Sequence, residues 1–342
     1  MVGGSYKPRM LTPVLIATGA AIALGLPLVL KAPFSLHVLI MFCVYGVLGE
    51  AWNILGGYAG QISLGHTVFF GIGAYTSTVL LLTRGVSPWI GMVVGIVVSI
   101  VASLAIGSLC FRLNGKYFVI ATIAVLQIVQ TLVTCAQSLG GASGLSVPVR
   151  NESLASFQFN SSKVPYAYIA ILMLAVAVFV VARLDRSRSG YYFRVIRESK
   201  EVAESLGINT VVYKLYAIVL SAALASAAGT FYAQYVLFID PNSAFSYPMA
   251  IKMCLLAVLG GVGTVWGPVV GALILIPLSE ISRAYIGGGG QGIDLIIYGL
   301  LMTLIAIYRP DGIAGLIIRG RPKTGGERRA TLGHGSTSSG SN

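Results

Sequence analysis

Of the 342 residues, 56% are hydrophobic and only 10% are charged, and the mean hydropathy is +0.84. A soluble domain carries roughly 25% charged residues, so this chain lacks the polar groups to cover a surface in water, and lipid is the solvent for most of it. The net charge of +12 does not indicate a nucleic-acid partner, because the basic residues lie between and beyond the apolar runs rather than in one patch. The runs lack the period-two alternation of a barrel strand. Helices, which satisfy their own backbone in hydrocarbon, are the expected spanning element.

A spanning helix needs about 20 apolar residues. Ten spans are expected, at 11–30, 36–55, 62–83, 88–110, 117–137, 165–183, 212–236, 249–264, 267–286 and 293–308. The fold class is therefore an all-α polytopic membrane bundle of about ten transmembrane helices. Residues 1–10 form a short N-terminus with Lys7 and Arg9, and 11–30 is too long for a signal-peptide core, so it reads as an uncleaved first span.

With the N-terminus inside, the inner segments hold Lys7 and Arg9, then Arg112 and Lys116. Seven more basic residues fall between Arg183 and Lys214, and six between Arg309 and Arg329. That places seventeen of the 23 basic residues inside, a bias that supports two cytoplasmic termini and an even number of crossings. The permease body is expected over 11–318, with a disordered Gly/Ser/basic tail at 319–342.

The second and third spans carry a polar, glycine-rich stretch. Glu50, Asn53, Gln61, Ser63, His66 and Thr67 cluster around an expected turn at Gly56–Gln61. Ionisable groups in a membrane are functional candidates by default. Each also has a plainer reading: Glu50 near the inner interface or capping a neighbour, His66 as a buried hydrogen-bonding residue, Asn53, Gln61 and Ser63 as interhelical glue. Gly56, Gly57, Gly60, Gly65, Gly71 and Gly73 permit a broken helix whose amides face a path. Asn53, Gly60, Gln61, Ser63, Gly65 and His66 are the candidate substrate-pathway residues.

The outer loop 138–164 is Gly/Ser-rich and holds sequons at Asn151 and Asn160, to which no role is assigned. The inner loop 184–211 is strongly charged. Within it, Tyr191–Leu206 is expected as one amphipathic helix closed by Gly207, with Phe193, Ile196, Ala203 and Leu206 near one face. Arg194/Glu198, Arg197/Glu201 and Lys200/Glu204 are i,i+4 pairs. Inserting six charges would cost on the order of 15–20 kcal/mol, so this helix lies on the cytoplasmic surface. Its acidic residues suit a groove on another protein better than anionic lipid headgroups.

Farther along, Ser221, Ala225 and Gly229 repeat every four residues, which is a close-packing pattern. Residues 249–286 carry one break, Gly260-Gly261-Val262-Gly263, and form either two full spans or a re-entrant hairpin. Gly260, Gly261, Gly263 and Gly267 are the candidate hinge or close-packing glycines.

Cys43, Cys110, Cys135 and Cys254 make no CxxC pair, so neither a metal site nor a disulfide framework is expected. No GxxxxGK[ST], HExxH or GxSxG occurs. No catalytic residue, metal or cofactor is expected. If ATP drives this protein, another subunit binds it.

Three strings carry a family resemblance: GGYAGQISLGHTVFFGIGAYTS at 56–77, SRSGYYFRVIRESKEVAESLGINTVVYKL at 187–215 and LAVLGGVGTVWGPVVGA at 256–272. In this order they resemble the branched-chain amino acid ABC-transporter permeases of the LivM type, over about residues 36–315. The chain departs from the family pattern at Glu50, where a small or apolar residue is expected. It also departs in Leu139–Leu145, which keeps the glycines of a TGG-x-x-GL string without its Thr.

The resemblance implies an ABC-importer permease that takes up branched-chain or other hydrophobic amino acids by alternating access. Similar permeases serve urea, amide and aromatic-acid uptake. It further implies a second permease subunit, two cytosolic ATPase subunits, an extracytoplasmic solute-binding protein and a bacterial inner-membrane location. The family's coupling segment matches Arg197, Glu198, Ala203, Glu204, Leu206, Gly207 and Ile208, and Glu201 falls within it. A secondary transporter with a proton site at Glu50 or His66 is the rival reading.

Overall fold

The structure, a computed structural model, describes residues 32–286 except Asn114, Arg150, Asn151, Leu154, Ala155, Asn160 and Ser161, and adds Gly25, Pro27, Gly299, Leu300 and Thr303. The expected spans 11–30 and 293–308, apart from those five residues, lie outside the described residues. So do residues 1–10, the tail 319–342 and the sequon asparagines.

The first helix, α1 (Pro33–Trp52), runs into a π-helical turn, Asn53–Tyr58. Then come α2 (Thr67–Arg84), α3 (Pro88–Cys110), α4 (Lys116–Cys135) and α5 (Val164–Asp185). Two short helices, α6 (Arg188–Glu198) and α7 (Lys200–Ser205), precede the 27-residue α8 (Thr210–Val236). The one-turn α9 (Pro241–Ala244), α10 (Tyr247–Gly260) and α11 (Gly267–Ile286) complete the described bundle. Two-residue strands β1 (Leu145–Ser146) and β2 (Phe238–Ile239) pair antiparallel, with Leu145 opposite Ile239. Among the described residues, seven stretches are long and apolar enough to cross a membrane: α1 with its π turn, α3, α4, α5, α8, 241–260 and 267–284.

α1 is apolar all round because it is central. In its spanning window 78% of residues are buried, against α5, α8, α10 and α11. α2, α3 and α8 form the second packed group, and they touch backbone to backbone. A side chain at Gly229 would collide with the Phe70 carbonyl, and one at Gly73 with the Ser226 carbonyl. The Thr230 hydroxyl donates to the Gly73 carbonyl at 3.0 Å. Small residues at such crossings replace the hydrophobic drive that lipid does not supply.

The described loops sort to two ends of the bundle. β1 and β2 join the 138–164 loop to the segment after α8. At the opposite end, α6 meets the π turn and the turn between α10 and α11.

Several boundaries differ from the sequence reading. The third span does not begin at 62: α1 continues, widened, through Tyr58, and residues 60–66 are irregular before α2 starts at Thr67. The span expected at 249–264 is a 14-residue helix from Tyr247 to Gly260. At about 1.5 Å per residue it is short of the bilayer core by itself, and reaches spanning length only together with α9.

The expected single helix over Tyr191–Leu206 is two helices. The first starts at Arg188, with the Ser187 hydroxyl capping Gly190 N–H at 3.1 Å. Ser199 is extended (φ −157°, ψ 125°) and caps the second.

The backbone crossing makes a test. Gly229→Val forces a branched side chain into the α2 backbone, and should destabilise the detergent-solubilised protein by at least about 1–3 kcal/mol. Gly46→Ala meets only the flexible end of Leu174 and should leave the thermal midpoint near wild type. Equal midpoints for the two variants, read by thermal unfolding in detergent, would refute the backbone contact.

Candidate coupling site at the broken helix

The π turn gathers the candidate residues. Its wide winding carries Gly56 and Gly57, which sit where any side chain would strike the Trp52 ring or the Asn53 amide. π turns inside helices frequently mark functional sites. Beyond it, Gly60 has φ +68°, a conformation that glycine adopts without strain.

Asn53 is fully buried. Its Nδ2 donates to the Thr264 carbonyl at 2.9 Å, and its Oδ1 accepts from Gly263 N–H at 2.8 Å. One side chain thus pins α1 to the turn between α10 and α11. Gly261 (φ +127°) and Gly263 (φ +74°) shape that turn. Gly260 and Gly267 bring its two arms so close that a side chain on Gly260 would collide with the Gly267 carbonyl, and one on Gly267 with the Gly261 carbonyl.

Arg197 joins the third element. It stands in the last turn of α6, and its Nη1 donates to the Gly57 carbonyl at 2.8 Å. A Cβ on Gly263 would stand 2.5 Å from the same Nη1, and one on Gly60 2.9 Å from the Arg197 Cγ. The guanidinium therefore sits between the π turn and the glycine turn, and α6 rests directly on Gly60. The expected Arg197/Glu201 and Arg194/Glu198 pairs do not form. Arg194 turns to Asp185 at 2.8 Å, while Lys200 and Glu204 do approach, at 3.8 Å.

The break at Ser199 re-phases the rest of the loop. Phe193, Ile196 and Ala203 are buried, but Leu206 is 65% exposed, contrary to the single-helix expectation. Glu198, Glu201, Glu204, Leu206 and Gly207 face outward with Val202. The Glu201 carboxyl is held below its usual range by its own backbone N–H and by the Ser199 hydroxyl. Gly207 (φ +77°) closes the turn, with its N–H on the Glu204 carbonyl and Ile208 N–H on the Ala203 carbonyl.

The remaining pathway candidates are mostly tied into the fold. Trp52 Nε1 donates to the Ser63 carbonyl at 2.7 Å. Gly65 packs on the Thr122 carbonyl. Ser221 spends its one proton on the Ala51 carbonyl at 2.6 Å, so His66 Nε2 must be the donor in its 2.8 Å contact with Ser221. Gly60 is exposed and Gln61 half-buried, and the other four are buried. Glu50 is fully buried, and neither carboxylate oxygen has a hydrogen-bond partner among the described residues.

At the opposite end lies a cluster that sequence reading missed. His37 Nδ1 and the Tyr235 hydroxyl are 2.7 Å apart. Glu280 stands 3.8 Å from His37 and 3.7 Å from Arg283. The available signal was Glu280 with Arg283 one turn on, inside an apolar run. Among the described residues no group of His, Cys, Asp and Glu could hold a metal ion.

The family model described as branched-chain amino acid transport system / permease component matches residues 34–306. The chain is 28% identical to the high-affinity branched-chain amino acid transport system permease protein LivM of Salmonella typhimurium, covering 82% of this chain and 69% of that one. It is 28% identical to LivM of Escherichia coli, covering 79% and 67%, and 27% identical to the permease protein LivH of Escherichia coli, covering 79% and 91%. No solved structure matches it. With a helical bundle broken at the glycine strings and a family match over most of its length, the chain belongs to the branched-chain amino acid transport system permease family.

Proposed function

We propose that this chain is the membrane-spanning permease subunit of an ATP-driven importer for branched-chain or other hydrophobic amino acids. It lies in the bacterial inner membrane with both termini cytoplasmic. A second permease subunit, two cytosolic ATPase subunits and an extracytoplasmic solute-binding protein complete the transporter. The chain itself is not an enzyme and needs no cofactor. The substrate class follows the names of its relatives. The domain plan follows the charge pattern: 11–318 as the permease body, 138–164 as the outer loop and 184–211 as the coupling loop.

The observation that carries the reading is the Arg197 contact. An extramembrane helix pair with an outward acidic and apolar face, Glu198, Glu201, Val202 and Leu206, is tied by one side chain to both breaks in the bundle. Movement imposed on 188–207 by an ATPase has a direct route to the π turn and the glycine turn, where a change of packing opens and closes a path. Gly60 and Gln61 border that path in this conformation. Asn53, Ser63, Gly65 and His66 come to line it as the break rearranges, and Gly260, Gly261, Gly263 and Gly267 form its hinge.

Arg197→Glu places an anion against the Gly57 carbonyl. It should cut leucine uptake by about tenfold or more, as expected for loss of a charged hydrogen bond, while membrane levels and ATPase co-purification persist. Leu206→Glu should instead release the ATPase. Full leucine uptake by both variants in membrane vesicles, or ATP-independent accumulation by the chain alone, would sink the proposal. Uptake of urea or a small amide in place of leucine would redirect the substrate class.

Glu50 separates the importer from a proton-coupled carrier. Glu50→Gln keeps the shape and removes a buried acid, so ATP-driven uptake should stay within about twofold and the protein should be no less stable, since a neutral amide is less costly to bury than a carboxylate. Abolished uptake, with a proton gradient alone driving transport in wild-type vesicles, would favour the carrier.

A further inference from the structure

At the end of the bundle away from α6, the helices α1, α8, α10 and α11 bring together charges that the coupling route does not use. Glu280 stands inside the apolar run of α11, about 20 Å along the axis from the glycine turn, and its side chain is only 9% exposed. His37 of α1 and Arg283 approach its carboxylate to 3.8 and 3.7 Å. Both separations exceed a charge-assisted hydrogen bond by about 1 Å. His37 is engaged on its other side, where Nδ1 and the Tyr235 hydroxyl are 2.7 Å apart and the two rings stack. A nearly buried acid is thus held by two long contacts, an arrangement that favours a closer cation.

Tyrosines border the same group. Tyr232 lies within electrostatic reach of Glu280, Arg283 and Tyr45. The Lys252 ammonium of α10 stands 4.8 Å from the centre of the Tyr45 ring. Tyr45, Tyr232, Tyr235 and His37 are all half-buried. Pro277, one turn before Glu280 inside α11, offers no N–H to the Leu273 carbonyl, which weakens the helix at the base of the segment bearing the acid. The flanking segments 11–30 and 287–308 hold no Lys, Arg or His to serve Glu280 in place of a ligand.

We propose that this cluster is an outer recognition site for the zwitterionic backbone of an α-amino acid, with the ammonium on Glu280, the carboxylate on Arg283 and the side chain against Tyr45 and Tyr232. This rests on the reading that the permease imports amino acids, and it names the groups that select them. The two charges of the ligand share one carbon, and they meet an acid and a base one helical turn apart. Its entry exchanges one long ion pair for two short ones and adds no net charge to the bilayer. A neutral amide or a simple carboxylate cannot make that exchange. The weak point at Pro277 lets the end of α11 draw back to admit it.

The test uses photo-leucine, a leucine analogue with a diazirine in its side chain. It is applied to membranes holding the complete permease–ATPase complex with the soluble binding protein left out, so that the membrane chains alone select. Irradiation should label this chain within 37–45 or 231–236, mapped by peptide mass spectrometry. Leucine should compete at least about tenfold better than isocaproate, which lacks the amino group, or isoamylamine, which lacks the carboxylate. Glu280→Gln and Arg283→Gln should each cut labelling about tenfold, with thermal midpoints in detergent near wild type.

Label confined to other segments, with ATP-driven leucine uptake intact, would overturn this site and leave the importer reading standing. Absent uptake by the wild type, with no label on any segment, would remove the importer reading and this site with it. Isocaproate competing as well as leucine would show that the ammonium goes unread. Full labelling in both Gln variants would reduce Glu280 and Arg283 to fasteners of α11. Labelling suppressed by added phosphatidylethanolamine would make a lipid headgroup the occupant, and labelling that rises in Lys31→Gln would make that lysine the partner of Glu280.

Discussion

Inside a bilayer a backbone carbonyl or amide that loses its helical partner has no water to turn to, and the break between α1 and α2 opens several at once. The structure answers several with specific side chains. Trp52 covers the Ser63 carbonyl, Ser221 the Ala51 carbonyl, and Arg197 the Gly57 carbonyl. Asn53 serves a carbonyl and an amide of the other broken segment together. Because the donors come from α1, α6 and α8, satisfying the break also fixes where those elements sit.

The glycines follow from the same constraint. A helix can be interrupted in lipid only if protein fills the space around it, and filling it tightly requires backbone to approach backbone. Gly57, Gly260 and Gly267 sit where a side chain would strike a neighbouring residue. Gly60, Gly261 and Gly263 supply the left-handed backbone that the turns need. A break built this way has little free volume, so it rests in discrete packings rather than deforming continuously.

Much of this was legible in the sequence and some was not, for physical reasons. Composition alone identifies a membrane bundle, and loop charge sorts the loops to two ends. The two glycine strings at 56–77 and 256–272 mark the broken segments. Contacts between distant segments have no local signature: Asn53 and Gly263 are 210 positions apart, and Arg197 and Gly57 are 140. The pairing of His37 with Glu280 is hidden for the same reason. The misplacement of Leu206 has a different origin. Helical periodicity carries across Ser199 only if the helix is continuous, and an extended residue there resets the phase. Ser199 itself held the signal, since a serine followed by an acidic residue in the next turn suits a helix start.

The two short helices divide the labour between a part that faces out and a part that is anchored. α6 is held twice, by Arg194 on Asp185 at the end of α5 and by Arg197 on the π turn. α7 is joined to it through one extended residue and presents Val202, Leu206 and the acidic residues. On the proposed reading, a force on α7 passes through Ser199 and the buried Ala203 contact to α6, and from there to a carbonyl and two glycines with no side chain between. Arginine suits that last link because its planar group can bond the Gly57 carbonyl while packing beside Gly263, whereas the compact ammonium of lysine would offer one contact and leave the gap unfilled. The same side chain that closes the break is therefore the one able to carry displacement into it.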